Sequence, residues 1–432
     1  MGPVVISLVF GLAIPATVAN EATVPTASPK RMEERIQALS RFGANPEGGV
    51  SRVAFSEADI GGREYVKGLM REAGLAVRVD TAGNIIGRRE GREPGLPAIM
   101  FGSHIDSVPG GGNYDGDVGV IGGIEVAQLL HENKVETRYP LEVAVFTDEE
   151  GGLIGSLAMV DRLDSAALDQ ISHSGMTRRD GVRAVGGDPE RIHLARRKPG
   201  ELEAFIELHI EQGAFLHRDR IDIGVVEGIV GIRLWEVVVE GVANHAGTTP
   251  MNGRRDALVS ASELALAVNR IATALPGRHV ATVGQIRAEP GAPNVIPGRV
   301  VMSLEIRDLV SESIHKAFDA IRTEAERIAA ARNTPIRFRE LDNLTPAPTH
   351  PRVRQIIAAA AKDLGLSYRL MPSGAGHDSQ DMTHITPTGM IFVPSVLGIS
   401  HSPKEYTSPE DMANGANVLR RTVLAIDRGA LE

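Results

Sequence analysis

The chain contains no cysteine in 432 residues. That absence removes disulfides, iron–sulfur clusters, cysteine nucleophiles and thiolate zinc sites together. Any transition metal held by this chain must use His, Asp and Glu. Positive charge is also in deficit: 46 basic residues face 55 acidic ones, for a formal net charge of −9. That balance argues against a nucleic-acid partner, which calls for a basic patch. The 47 glycines show no collagen-like period,. No Gly-Lys-Ser/Thr phosphate loop and no dinucleotide-binding glycine spacing occur,. Long apolar runs are absent too, with one exception at the N-terminus.

That exception is Pro3–Ala19, followed by a Thr/Pro/Ala-rich stretch to Pro29. The run is slightly short for a membrane span and Pro15 interrupts it,. Thr17-Val18-Ala19 is a passable small-x-small cleavage signal, although the usual positive n-region is missing,. Residues 1–30 are read as an apolar extension or signal peptide. This favours export (periplasmic or secretory) over the cytoplasm, and the mature protein is expected to have no membrane span. The bland reading is an uncleaved extension or a misplaced start.

Hydrophobic residues make up 42% and charged residues 23%, a globular balance that permits a real core,. The length suggests two or three domains. From Met32, helical spacing (Met32–Ser40, Ala58–Ala73, Val118–Glu132) alternates with strand patterns (Leu75–Asp80, Asn84–Arg88, Pro97–Phe101, Leu141–Phe146). This predicts an α/β fold with a mixed, mostly parallel sheet covered by helices. A different order begins near Gly231: strand Ile232–Glu240, helix Asp256–Ala272, strands His279–Arg287 and Arg299–Arg307, helix Glu312–Arg332, strand Pro335–Arg339. That is the βαββαβ order of a ferredoxin-like α+β unit. Asn343–Pro351, with three prolines, reads as its exit linker, after which the α/β pattern resumes. The expected organisation is therefore a larger domain, 31–230 plus 343–432, with residues 231–342 inserted into it.

Polar clusters sit where sites form in α/β sheets, at strand ends. Gly102-Ser103-His104-Ile105-Asp106 runs through a glycine-rich turn to Asp115. His104 and Asp115 could share a metal, since imidazole and carboxylate are the zinc ligands left without thiolate. Asp106 could then hold the second imidazole nitrogen. The same residues would equally make an ordinary polar loop end. Asp148-Glu149-Glu150 is a plain acidic turn in solvent, but beside a dication one carboxylate can ligate while its neighbour activates water. His209, in Glu207-Leu208-His209-Ile210-Glu211-Gln212-Gly213, and His401, in Gly398-Ile399-Ser400-His401-Ser402-Pro403, each follow an apolar stretch. His245 lies in Asn244-His245-Ala246-Gly247 of the small unit. Asn294 sits in a proline-bracketed turn. Arg307 ends a strand, either as a surface charge or as a clamp for a substrate carboxylate.

Taken in order, these five motifs resemble the dinuclear-metal aminoacylase/carboxypeptidase superfamily. Within it the chain is most similar to N-carbamoyl-L-amino-acid hydrolases and allantoate or ureidoglycolate amidohydrolases. The resemblance runs from about Met32 to the C-terminus. It implies a zinc-exopeptidase-like catalytic domain, an inserted lid and dimerisation domain, and two divalent ions per subunit: zinc or manganese, with cobalt or nickel possible. It implies His104, Asp115, Glu150, His209 and His401 as ligands, with Asp115 shared, and Glu149 as general base on the attacking water. Gln212, Asn294, Arg307 and Gly374 would bind a small carboxylate substrate. His245 would reach the active site of a partner subunit, which implies a homodimer. A histidine at 209, where the peptidases usually place a carboxylate, tilts the expectation toward ureido substrates. The alternatives are a dipeptidase or aminoacylase and, in a different class, a non-catalytic homologue that binds metal or ligand.

Overall fold

The computed structural model describes residues 25–431. The apolar run Pro3–Ala19 and its cleavage signal lie outside them. Among the described residues no helix is long and apolar enough to cross a membrane. The chain first lays down β1 (Ala76–Val79), β2 (Ile85–Arg89), β3 (Ala98–His104), β4 (Leu141–Phe146), β5 (Leu202–Ile210) and β6 (Ile223–Ile229). Next come β7 (Gly231–Glu240), β8 (Asn244–His245), β9 (Val280–Thr282), β10 (Ile286–Glu289), β11 (Val295–Ile296), β12 (Arg299–Asp308) and β13 (Ile336–Leu344). It finishes with β14 (Ala347–Pro348), β15 (Tyr368–Ser373) and β16 (Thr388–Val393).

The large sheet has the order β1-β2-β4-β3-β5-β16-β6-β14, with β15 on β6. Its centre, β4-β3-β5-β16, is parallel, and antiparallel pairs flank it. The central strands are apolar at nearly every position because both faces are covered. Alternate side chains enter opposite cores. Ile99, Phe101, Val143 and Ile206 meet the helices Pro29–Leu39, Asp117–Glu132, Pro351–Asp363 and Pro409–Asp427. Met100, Ala144, Phe146 and Phe205 pack on the other side with Met159 and Met382. Parallel order sets the carboxyl ends of these strands side by side. His104, the turn after β4, His209 and the loop after β16 therefore share one rim.

The smaller sheet runs β13-β7-β12, with β9 and β10 both on the far edge of β12, and every pair is antiparallel. Burial alternates strictly along β12, whose inner residues face the helices Ala257–Ala274 and Ser311–Arg332. Trp235 stacks on Phe318 at 4.2 Å in this core. Two expectations are corrected here. The single strand at 279–287 is broken into β9 and β10, because the Ser303 hydroxyl accepts the N–H groups of Gly284 and Gln285 and the ladder opens at that point. The stretch 343–351 is not a free linker: β13 continues to Leu344, and Ala347–Pro348 pairs with β6.

Candidate metal centre

Two of the candidate ligands, His104 and His209, are oriented by main-chain carbonyls. His104, the last residue of β3, places Nδ1 3.0 Å from the carbonyl oxygen of Asp106. A carbonyl only accepts, so Nδ1 carries the proton and Nε2 presents its lone pair. His209 repeats this with its Nδ1 2.9 Å from the carbonyl of Ile210. Asp106 thus holds the second imidazole nitrogen of His104 as expected, through its carbonyl and not its carboxylate. Its carboxylate stands 3.9 Å from the His104 ring nitrogen and instead accepts the N–H groups of Glu149, at 3.2 Å, and Glu150, at 3.1 Å. Asp106 thus fixes the turn that carries the acidic pair, and its main chain fixes the imidazole. Gly116, with φ of 67°, lets the following helix begin against the His104 ring, since a Cβ there would lie 2.5 Å from it,.

Asp115 stands between two groups of donors. One is His104, Asp115 and His209; the other is Asp115, Glu150 and His401. Asp115 Oδ1 lies 3.1 Å from His209 Nε2 and 3.8 Å from His104 Nε2. Its Oδ2 lies 3.2 Å from His401 Nε2, which is 3.5 Å from Glu150 Oε1. Glu149 Oε2 lies 3.6 Å from His104 Nε2. These residues line a cavity of about 200 Å³ with Leu153, Gln212 and His377. His209 Nε2 and Glu150 Oε1 are buried without a hydrogen-bond partner. Buried polar atoms are normally paired. Two such atoms, facing a shared carboxylate among N and O donors, fit divalent cations.

Electrostatics support that fit. Burial pulls the His104 imidazole down to about 4. Burial also opposes charge on His209, but the Asp115 carboxylate outweighs it and lifts His209 to about 9. Glu150 is pushed up to about 8 by burial and then by the charge of Asp115. Glu149 is raised well above the carboxylate range by burial and by the charges of Asp378 and Glu150. Without cations, protons must neutralise this crowd of carboxylates; cations would replace them.

The expected substrate contacts are brought only partly to this cavity. The Gln212 amide donates to Asp115 Oδ2 at 2.6 Å, so it presently touches the shared ligand. Arg307 Nη1 donates to the Gly374 carbonyl at 2.8 Å, and its Nε to Glu305 at 2.7 Å. Two expected contacts therefore tie the two sheets together. β8 pairs with β11, and the Asn294 carbonyl accepts from Ala246 N–H at 3.0 Å, which brings Asn294 beside His245. His245 is exposed and accepts the N–H groups of Gly247 and Thr248 on Nδ1, so its Nε2 is a donor,. His245, Asn294, Arg307 and Gly374 all stand outside the cavity, whose wall includes the neighbouring Ala375 and Gly376.

Sequence reasoning missed Glu207, His377 and Glu405. Glu207 accepts from Ser103 Oγ at 2.7 Å and from Ser379 N–H at 3.0 Å beneath the cluster. His377 packs edge-on to His209 with ring centroids 4.4 Å apart. Glu405 lies four residues past His401, a spacing that could have flagged it. Backbone strain was also unsignalled: Asp148, Leu153, Gln212 and His401 all have positive φ around the cavity,.

Residues 100–425 match the family model for peptidase family M20/M25/M40. The chain is 41% identical over 405 residues to an N-carbamoyl-L-amino acid amidohydrolase of Geobacillus stearothermophilus, covering 93% of this chain and 99% of that protein. It is 37% identical over 412 residues to a ureidoglycolate hydrolase of Oryza sativa, covering 93% and 84%. A solved amidase of the hydantoinase/carbamoylase family from Burkholderia multivorans superposes with a TM-score of 0.84 at 36% identity, covering 93% of this chain and 98% of that one.

Proposed function

The chain belongs to peptidase family M20/M25/M40, and from that premise we propose that it is a metal-dependent amidohydrolase cleaving a linear, non-peptide C–N bond of ureido or carbamoyl type. The substrate is a small carboxylate, an N-carbamoyl-L-amino acid in the first reading. The observation that carries this is the pair of donor groups sharing Asp115, with Glu149 at their edge. The likeness to amidohydrolases over nearly the whole chain supplies the bond type. The ureidoglycolate hydrolase likeness keeps a second reading, a ureido acid such as ureidoglycolate or allantoate. A dipeptidase or aminoacylase is the less favoured alternative, since His209 occupies the position where the resemblance to peptidases would call for a carboxylate.

His104, Asp115 and His209 hold one divalent ion, and Asp115, Glu150 and His401 the other; zinc or manganese suits the set, and cobalt or nickel would also fit. When bound, the ions supply Lewis acidity toward water and the substrate carbonyl. Glu149 takes the proton of the attacking water and returns it to the leaving nitrogen. Burial and the charges of Asp378 and Glu150 raise its proton affinity, and a neighbouring cation would oppose that rise,. His245 offers its Nε2–H to the developing oxyanion. Because it stands outside its own cavity, a partner subunit in a homodimer is the proposed source, with the inserted unit serving as dimerisation surface and lid. Gln212, in the cavity wall, and Arg307, Asn294 and Gly374, from outside it, are the proposed contacts of the substrate carboxylate,.

The test is a substrate panel on metal-stripped protein reloaded with zinc or manganese. Free amino acid from N-carbamoyl-L-amino acids establishes the first reading. Ammonia from allantoate or ureidoglycolate without that activity establishes the second. Turnover of dipeptides or N-acetyl amino acids alone overturns both.

A further inference from the structure

Glu405 lies outside every motif the sequence singles out, yet its carboxylate joins two arms of the cluster that are distant in the chain. Its Oε1 accepts the main-chain N–H groups of Tyr114 at 2.9 Å and Asp115 at 3.0 Å. Its Oε2 accepts the main-chain N–H of His401 at 3.3 Å and lies 2.7 Å from the Ser400 hydroxyl. That hydroxyl is also 3.1 Å from Asp115 Oδ2. Glu405 is only 4% exposed, so water cannot readily take over these bonds. The loop passes directly over it: a Cβ on Gly112 would lie 2.1 Å from Glu405 Oε1. His401 has φ of 51°, a conformation that a residue other than glycine keeps only when its surroundings enforce it,.

We propose that Glu405 is a positioning residue that sets Asp115 and His401 at their working separation, and so controls affinity for the ion held by Asp115, Glu150 and His401. The inference rests on the metal reading above. It is asymmetric. The other donor group draws its two imidazoles from β3 and β5, where main-chain carbonyls orient them. It uses Asp115 Oδ1, whereas His401 faces Oδ2.

Glu405→Gln separates the two arms. Its amide oxygen can still accept from Tyr114 and Asp115, but its NH₂ then meets the His401 N–H, donor against donor. The full-length apoprotein is titrated with zinc against a chromophoric chelator, and with cobalt by visible absorption. Wild type is measured first; fewer than two ions per chain there would overturn the metal reading itself. With two ions in wild type, the variant is expected to keep one and to bind the other roughly 10- to 100-fold more weakly. The melting midpoint of the apoprotein and its circular dichroism show that the variant is folded. Should it not fold, Ser400→Ala removes the hydroxyl alone and is expected to weaken the same ion by about threefold to tenfold. Two unchanged affinities in the folded variant would overturn the proposal. So would an equal fall in both, which marks general loosening of the cavity.

Discussion

Asp106→Asn separates two accounts of one residue. The spacing of His104 and Asp106 suggests a carboxylate that orients the imidazole. The structure gives it the amides of Glu149 and Glu150. Asparagine keeps one acceptor oxygen and turns an NH₂ toward the second amide, so one hydrogen bond to a charged group is lost. Such a bond contributes roughly 1.5–3 kcal/mol. Passed wholly to the placement of Glu149, this corresponds to a fall in kcat of roughly 10- to 150-fold. The assay is steady-state hydrolysis at saturating metal, with metal content measured alongside. Saturation matters, because Glu150 moves with the same turn and its ion binds less tightly. If Asp106 acted through His104 instead, saturating metal would restore kcat. A kcat within about threefold of wild type under those conditions refutes the reasoning.

Glu149→Gln is expected to keep the fold and metal while losing roughly 10²- to 10⁴-fold in kcat, read by single-turnover kinetics. Mixing that variant with His245→Ala subunits should restore activity in verified heterodimers; none would place His245 within its own subunit. Arg307→Ala should raise KM for carboxylate substrates far more than it lowers kcat, and an unchanged KM would move the clamp elsewhere. The metal-free protein should lose stability as pH rises above about 6.5. Glu150 at about 8 and His209 at about 9 both hold protons more tightly folded than unfolded. Their contribution is complete below the unfolded values and is lost as pH climbs through the folded ones. His104, pulled down to about 4, acts in the opposite sense only below that window. Urea unfolding of apo and loaded protein at both ends of the range tests this, and a flat apo profile would refute it.

What the sequence announces is what depends on local pattern. The mostly apolar stretches of β3, β4 and β5 mark their own ends, and His104, Glu149, Glu150 and His209 are visible at or near those ends because polarity changes there. β12 is visible from strict alternation. Glu207 is not visible, since a buried acceptor is defined by its partners, and its partners come from segments far away in the chain; Glu405 shows only its spacing from His401, while its bonds to Tyr114 and Asp115 have no local signal. The break between β9 and β10 depends on a serine on the neighbouring strand, which no pattern within 279–287 contains. Asp106 holds the His104 imidazole as their spacing suggests, but through its carbonyl; the closeness of its carboxylate to the turn after β4 has no signal in the sequence.

The passage between the two sheets has a mechanical meaning. β6 leads into β7 through Val230 alone, and β13 leads back into β14 through Thr345 and Pro346. The two crossings lie side by side, with Leu344 opposite Ile232 and Ala347 opposite Ile229. Gly231 lets them touch, since a Cβ there would lie 2.5 Å from the Pro346 ring. The two crossings thus form a two-stranded ribbon and not two independent tethers, and the Arg307–Gly374 and Arg278–Glu227 bonds join the inserted unit to the rest of the chain beside it. A ribbon flexes readily across its flat face and resists shear in its plane, because shear would break the pairing. A swing of the unit about this ribbon would carry Arg307 and His245 together and would have to break the Arg307 bond to the Gly374 carbonyl.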